Sequence, residues 1–156
     1  MQKEIQKLSV SISVLKLPYN YTCDGNDISP EISIGGVSKD VKSMAAIMLD
    51  QTSPKGGNFV HWIMWNIDPA IMIPEDIPKK EVIDFPFNAV QGTNGFGKIG
   101  YNGPCPKPGE NHRYLLKIYG LDTLLDLKPG SNYTDLQNAI HNHEVAYGET
   151  FVLYGR

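Results

Sequence analysis

Residues 59–67 read Phe-Val-His-Trp-Ile-Met-Trp-Asn-Ile, and this stretch decides the fold. It is apolar on both faces over nine residues, with two tryptophans and several β-branched side chains. That composition favours a central β-strand over a helix. Strict alternation would put His61 on a face with Phe59, Ile63 and Trp65. Upstream, residues 43–49 (Ser-Met-Ala-Ala-Ile-Met-Leu) form a second apolar run, ending at Asp50. Downstream, residues 112–121 alternate, with His112, Tyr114, Leu116 and Ile118 on one side and Arg113, Leu115, Lys117 and Tyr119 on the other.

Further out the elements shorten. Residues 8–14, Leu-Ser-Val-Ser-Ile-Ser-Val, alternate as a half-buried strand, and the parity slips at Leu15 and Leu17 as at a bulge. Ile32 and Ile34 predict a short strand, as do Ile71–Ile73 and Val82–Phe87. Thr150–Tyr154 predicts a last one. One helix is expected. Thr134-Asp135-Leu136-Gln137 reads as a capping box, followed by a stripe of Leu136, Ala139, Ile140 and His143, with Gly148 as its stop. The chain therefore reads as a mainly β single domain spanning residues 1–156, with one helix near the C-terminus.

The 156 residues contain 15 glycines and 11 prolines. That excess argues against a helical bundle. Ten of them fall within residues 86–109, a stretch long enough to suggest a functional or disordered loop. Pro54, Gly56 and Gly57 mark another loop. The net charge of −3 and a pI of about 5.7 give no basic face for nucleic acid. The longest basic run is Lys79-Lys80, so a polybasic membrane patch is missing too. No run approaches the 18 apolar residues of a spanning helix, so stable membrane insertion is not expected. The start, Met1 to Lys7, has no apolar signal region, and a cytoplasmic location is expected. Cys23 and Cys105 read either as two reduced thiols or as a long-range disulfide worth on the order of 4 kcal/mol.

No nucleophile elbow, Walker loop or dinucleotide fingerprint is present. His141 and His143 lack the i, i+4 spacing of a helical zinc pair, so His143 is expected to pack at the helix edge and His141 to be solvated. The constellation that invites chemistry is Asp50, His61 and His112, each at the end of an apolar strand or interrupting one, beside a Gly/Pro loop. Two imidazoles and a carboxylate can donate to an anion, bind iron as a facial triad, or orient a nucleophile. Cys105 is the best-placed candidate nucleophile.

In order along the chain, Asp50-Gln51-Thr52-Ser53-Pro54, Phe59-Val60-His61-Trp62, Gly103-Pro104-Cys105-Pro106 and His112-Arg113-Tyr114 resemble the phosphatidylethanolamine-binding protein family. It is also called the Raf kinase inhibitor protein family. The Cys23-Asp24-Gly25 segment with Ser29-Pro30, and the Gly-Pro-Cys-Pro turn, point to its short bacterial and archaeal branch. The resemblance implies a β-sandwich-like fold on a large central antiparallel sheet. It also implies a small pocket for phosphate-type anions, either phospholipid headgroups or phosphorylated residues. Carried over by motif, Asp50, His61 and His112 would line the pocket. Phe59 would be a wall in place of a Trp, and Gly103 with Pro104 or Pro106 would form the rim.

The implied role is a non-catalytic, regulatory binding protein, with no cofactor and no metal. Inhibition of a protein kinase or protease through a surface loop is the alternative, and a homodimer is left open. Two departures stand out. Gln51 and Thr52 replace the Pro and second Asp of the family motif, and the lost charge should weaken carboxylate anchoring of that loop. Strand parity turns Arg113 away from His112, so it is expected to brace a loop through a salt bridge.

Overall fold

A computed structural model describes residues 4–52 and 58–156. The described residues contain ten strands and one α-helix: β1 Gln6–Lys7, β2 Ser9–Ser11, β3 Ile32–Gly35, β4 Ser43–Asp50, β5 Phe59–Ile67, β6 Met72–Ile73, β7 Val82–Ile83, β8 Ala89–Gln91, β9 Asn111–Leu121, α1 Tyr133–Ile140 and β10 Glu144–Gly155. Seven strands form the large sheet in the order β1-β10-β9-β4-β5-β8-β7, and β2-β3-β6 form a small one. The large sheet is antiparallel except at its edge, where β1 runs parallel to β10. Pro54, Gly56 and Gly57 lie outside the described residues. No helix among the described residues is long and apolar enough to cross a membrane.

The large sheet is buried on both sides, which is why its central strands read as unbroken apolar runs. Met44, Ala46 and Met48 of β4 pack toward the small sheet with Ile32, Ile34 and Ile73. Ala45, Ile47 and Leu49 face the other way, onto Leu136 and Ile140 of α1. The result is three layers: small sheet, large sheet, helix.

Several expectations change. The alternating stretch 8–14 is not one strand. Gln6–Lys7 pairs with β10 in the large sheet, and Ser9–Ser11 crosses to pair with β3 in the small one. Val14 is accordingly exposed. The crossing is made possible by Gly148, where a Cβ would lie 2.3 Å from the Leu8 carbonyl oxygen. Gly148 is thus a close-approach residue inside β10, not a helix stop. The helix is capped two residues earlier than expected. Asn132 accepts from the Asp135 backbone N–H, and Asp135 accepts from that of Asn132. The box is built from Asn and Asp rather than Thr and Gln. The helix ends at Ile140, with Asn142 in the left-handed region at φ 69°. His143 therefore lies beyond the helix and bonds Asp122 at 2.8 Å, while His141 is exposed.

The Gly/Pro-rich stretch before β9 is ordered by Asn94. Its side-chain oxygen accepts from the backbone N–H groups of Phe96 and Lys98, and its amide donates to Gly100 O and Asn102 Oδ1. The short β8, Ala89–Gln91, has no counterpart among the strands expected from the sequence, and pairs with β5. Cys23 and Cys105 are joined in a disulfide that ties residues 82 apart in sequence. Arg113 makes no salt bridge among the described residues; its guanidinium stacks over Phe151 at 4.4 Å.

Candidate functional site

Strands β4, β5 and β9 end together at one end of the large sheet, and their last or first residues form a pocket. Asp50 pairs with both Phe59 and Tyr114 across the strands. His61 reaches the same face through a β-bulge. Met48 opposes Trp62 and Leu49 opposes Val60, leaving His61 as the extra residue. Such a bulge re-aims one side chain. Val60, Ile63 and Trp65 turn toward the helix layer, whereas the His61 ring lies 5.1 Å from Phe59 and 5.2 Å from Tyr114. Strict alternation along β5, which would have placed His61 with Ile63 and Trp65, is therefore broken here.

The pocket holds about 210 Å³ and is walled by Asp50, Phe59, His61, Phe96 and Pro106, with Cys105, Lys107, Glu110, His112 and Tyr114. Five of the seven residues that the resemblance assigns to the pocket meet here: Asp50, Phe59, His61, Pro106 and His112. Pro104 and Gly103 do not line it. Pro104 is buried behind the wall, its carbonyl accepting from the Cys23 N–H. Gly103 donates its N–H to Asp27 Oδ1 at 2.8 Å, and a Cβ there would lie 2.2 Å from the Tyr21 carbonyl oxygen.

Polar contacts fix the site. His112 Nδ1 donates to Asp50 Oδ2 at 2.6 Å, and Nε2 faces Glu110 Oε1 at 3.2 Å. An ionised carboxylate only accepts, so the short bond to Asp50 is donated by the ring. Asp50 Oδ1 accepts from both the backbone N–H and the hydroxyl of Thr52, each at 2.8 Å. Thr52 therefore anchors the carboxylate rather than weakening its hold, because a hydroxyl donates where a second carboxylate would repel. With both oxygens engaged, Asp50 positions His112 more than it offers itself to a ligand.

His61 Nδ1 donates to the Asn102 carbonyl at 2.7 Å. Burial pushes the His61 pKa down, against smaller upward pulls from the Asn102 backbone, Asp50, Asp27 and the Gly103 backbone. Burial, with Asp50 next, raises the pKa of the Tyr114 hydroxyl, which stays a donor. Among the described residues no group of three or more His, Cys, Asp or Glu side chains is arranged to hold a metal ion. Cys105 lines the pocket, but its sulfur is bonded to Cys23 and is no free nucleophile.

Phe96, Lys107, Glu110 and Tyr114 are pocket residues that the sequence reading misses. Tyr114 was the findable one, since it shares strand parity with His112. Phe96 and Glu110 arrive through loops, for which periodicity carries no signal.

A family model described as phosphatidylethanolamine-binding protein matches residues 13–155. A UPF0098 protein of Pyrococcus horikoshii is 46% identical over 157 residues, covering 97% of this chain and 79% of that one. A UPF0098 protein of Aquifex aeolicus is 37% identical, covering 90% of this chain and 82% of its own. Among solved structures, Escherichia coli YbcL, described as a member of the mammalian PEBP family, superposes with a TM-score of 0.85 at 26% identity. That match covers 96% of this chain and 98% of YbcL. A Chlamydia trachomatis homologue gives 0.81 at 30% identity, covering 97% of this chain and 98% of that one.

Proposed function

This chain belongs to the phosphatidylethanolamine-binding protein family, and from that membership we propose that it is a regulatory, non-catalytic binding protein whose pocket takes a phosphate-type anion. The observation that carries this reading is the His112 ring in the pocket wall, held by Asp50 at 2.6 Å, with its second nitrogen 3.2 Å from Glu110, a partly exposed carboxylate that a ligand oxygen can displace. A ring fixed from behind by a carboxylate presents a charge-assisted N–H forward, a strong donor for an oxyanion. Lys107 adds a cation to the wall, and the Tyr114 hydroxyl a neutral donor. In a protein of net charge −3, a few aimed donors do what bulk charge does not.

Phe59, Phe96 and Pro106 leave the rest of the wall apolar. They lower the local dielectric and strengthen each polar contact. The experiment is a titration of the imidazole NMR signals with inorganic phosphate. Movement of the His61 and His112 resonances is expected; unchanged signals at millimolar phosphate would overturn the reading.

A further inference from the structure

Donors and acceptors are unevenly matched around the pocket, and the mismatch bears on which oxyanion fits. His61 Nδ1 donates to the Asn102 carbonyl, so the neutral ring keeps a lone pair on Nε2, the ring nitrogen left for the pocket. His112 is already met on both nitrogens, by Asp50 and by Glu110. Glu110 lines the pocket, and its carboxylate is an acceptor only. The wall thus offers donors from Lys107 and Tyr114, an acceptor with no partner among the described residues at His61 Nε2, and a His112–Glu110 pair that a ligand must part.

An acceptor-only anion suits half of this wall. At His112 it can take the Nε2–H only by parting it from Glu110, whose carboxylate it then faces, and at His61 it meets a lone pair. Both contacts are repulsive, in a site where apolar rings raise the cost of an unmatched polar group. An oxyanion that brings its own proton changes both: its P–OH donates to Glu110 or to His61 Nε2, while its other oxygens accept from His112, Lys107 and Tyr114. We propose that the pocket selects an oxyanion carrying a proton, namely inorganic phosphate or a phosphomonoester, over sulfate and over phosphodiesters; this selection rests on the anion-binding function proposed for the same pocket. Glu110 is the residue that sets this preference. The side chain of Glu110 is 36% exposed, so it can adjust to the ligand without disturbing the core.

The test uses four probes at pH 6, where a phosphomonoester is about half protonated: inorganic phosphate, O-phosphoserine, sulfate and dimethyl phosphate. Affinity is read by calorimetry and location by the His61 and His112 NMR signals. Phosphate and phosphoserine are expected to bind at least about tenfold more tightly than sulfate and dimethyl phosphate. The stronger of the first two tells free from esterified phosphate. Dimethyl phosphate, a monoanion, separates proton donation from total charge. In Glu110→Gln the carboxamide can donate, so sulfate should gain and the phosphate-to-sulfate ratio should fall. Sulfate binding as tightly as phosphate, with the same histidine signals moving, overturns the proton selection and leaves the anion pocket standing. If none of the four probes moves either histidine, the anion pocket fails and the selection fails with it.

Discussion

Asp50 and His112 come from strands adjacent in the large sheet, and their side chains meet at 2.6 Å with both groups nearly out of solvent. Asp50 also holds Thr52 through two bonds. One carboxylate therefore sets the ring that faces the pocket and the first turn after β4.

Truncating Asp50 tests both roles. Asp50→Ala leaves the buried His112 N–H without its partner and frees Thr52. Removing one member of a buried charged pair costs about 3 kcal/mol or more. Urea denaturation should show a loss of that size. Thr52→Val, which removes one bond and keeps the shape, should cost about 1 kcal/mol. Equal, small losses in the two variants would mean that the Asp50–His112 contact contributes little.

The pH dependence of stability should carry a signature of His61. Its folded pKa is pushed down by burial, below the 6.5 of the unfolded chain. As pH falls through 6.5 the unfolded state takes up a proton that the folded ring refuses, so stability falls with acidification, and it recovers as pH rises. Unfolding free energies between pH 5 and pH 7 should therefore slope upward. His61→Gln, neutral throughout, should flatten that slope. An unchanged slope in the variant would assign the dependence to other groups.

The central strands of the large sheet were readable because burial on both faces writes itself as continuous apolar runs, as at Met44–Leu49. Asp50, His61 and His112 could be picked out because they stand at or within such runs. The bulge at His61 was not readable, since its signal is a register shift between β4 and β5 rather than a residue type. The split of residues 6–11 between two sheets was hidden for the same reason: it depends on Gly148, far along the chain. Phe96 reaches the pocket through a loop pinned by Asn94, and Glu110 through a turn bonded to Lys107 and Arg156, and no periodicity encodes either path.

The two tryptophans of β5 should respond differently to loss of the indole N–H. Trp62 Nε1 donates to Gln91 Oε1 at 2.7 Å, and the same Gln91 donates to Pro78 O and Lys80 O. Trp65 Nε1 is buried with no partner among the described residues. Replacing either by Phe removes similar volume. Trp62→Phe also strands a buried acceptor, so it should cost about 1–3 kcal/mol more than Trp65→Phe. Thermal unfolding of the pair checks the order, and a reversed order would show that Trp65 has a partner in solution, such as a bound water.

The disulfide should matter more to global stability than to the shape of the pocket wall. Cys23 and Cys105 close a loop of 82 residues, for which the chain-entropy model gives about 4 kcal/mol. The wall carrying Cys105 is held by other bonds as well. The Cys23 N–H donates to Pro104 O at 3.1 Å, and Arg156 Nη1 donates to Pro106 O at 3.1 Å. The Arg156 guanidinium also grips Asp24, which holds that carboxyl down at about 2. These contacts survive reduction, because none of them uses the S–S bond. The double variant Cys23→Ser with Cys105→Ser should therefore lose about 4 kcal/mol by urea denaturation. Under native conditions its His61 and His112 NMR signals should stay near their original positions. Large shifts of both signals in the folded double variant would mean that the disulfide itself shapes the pocket, and that the Arg156 bridge cannot hold the wall alone.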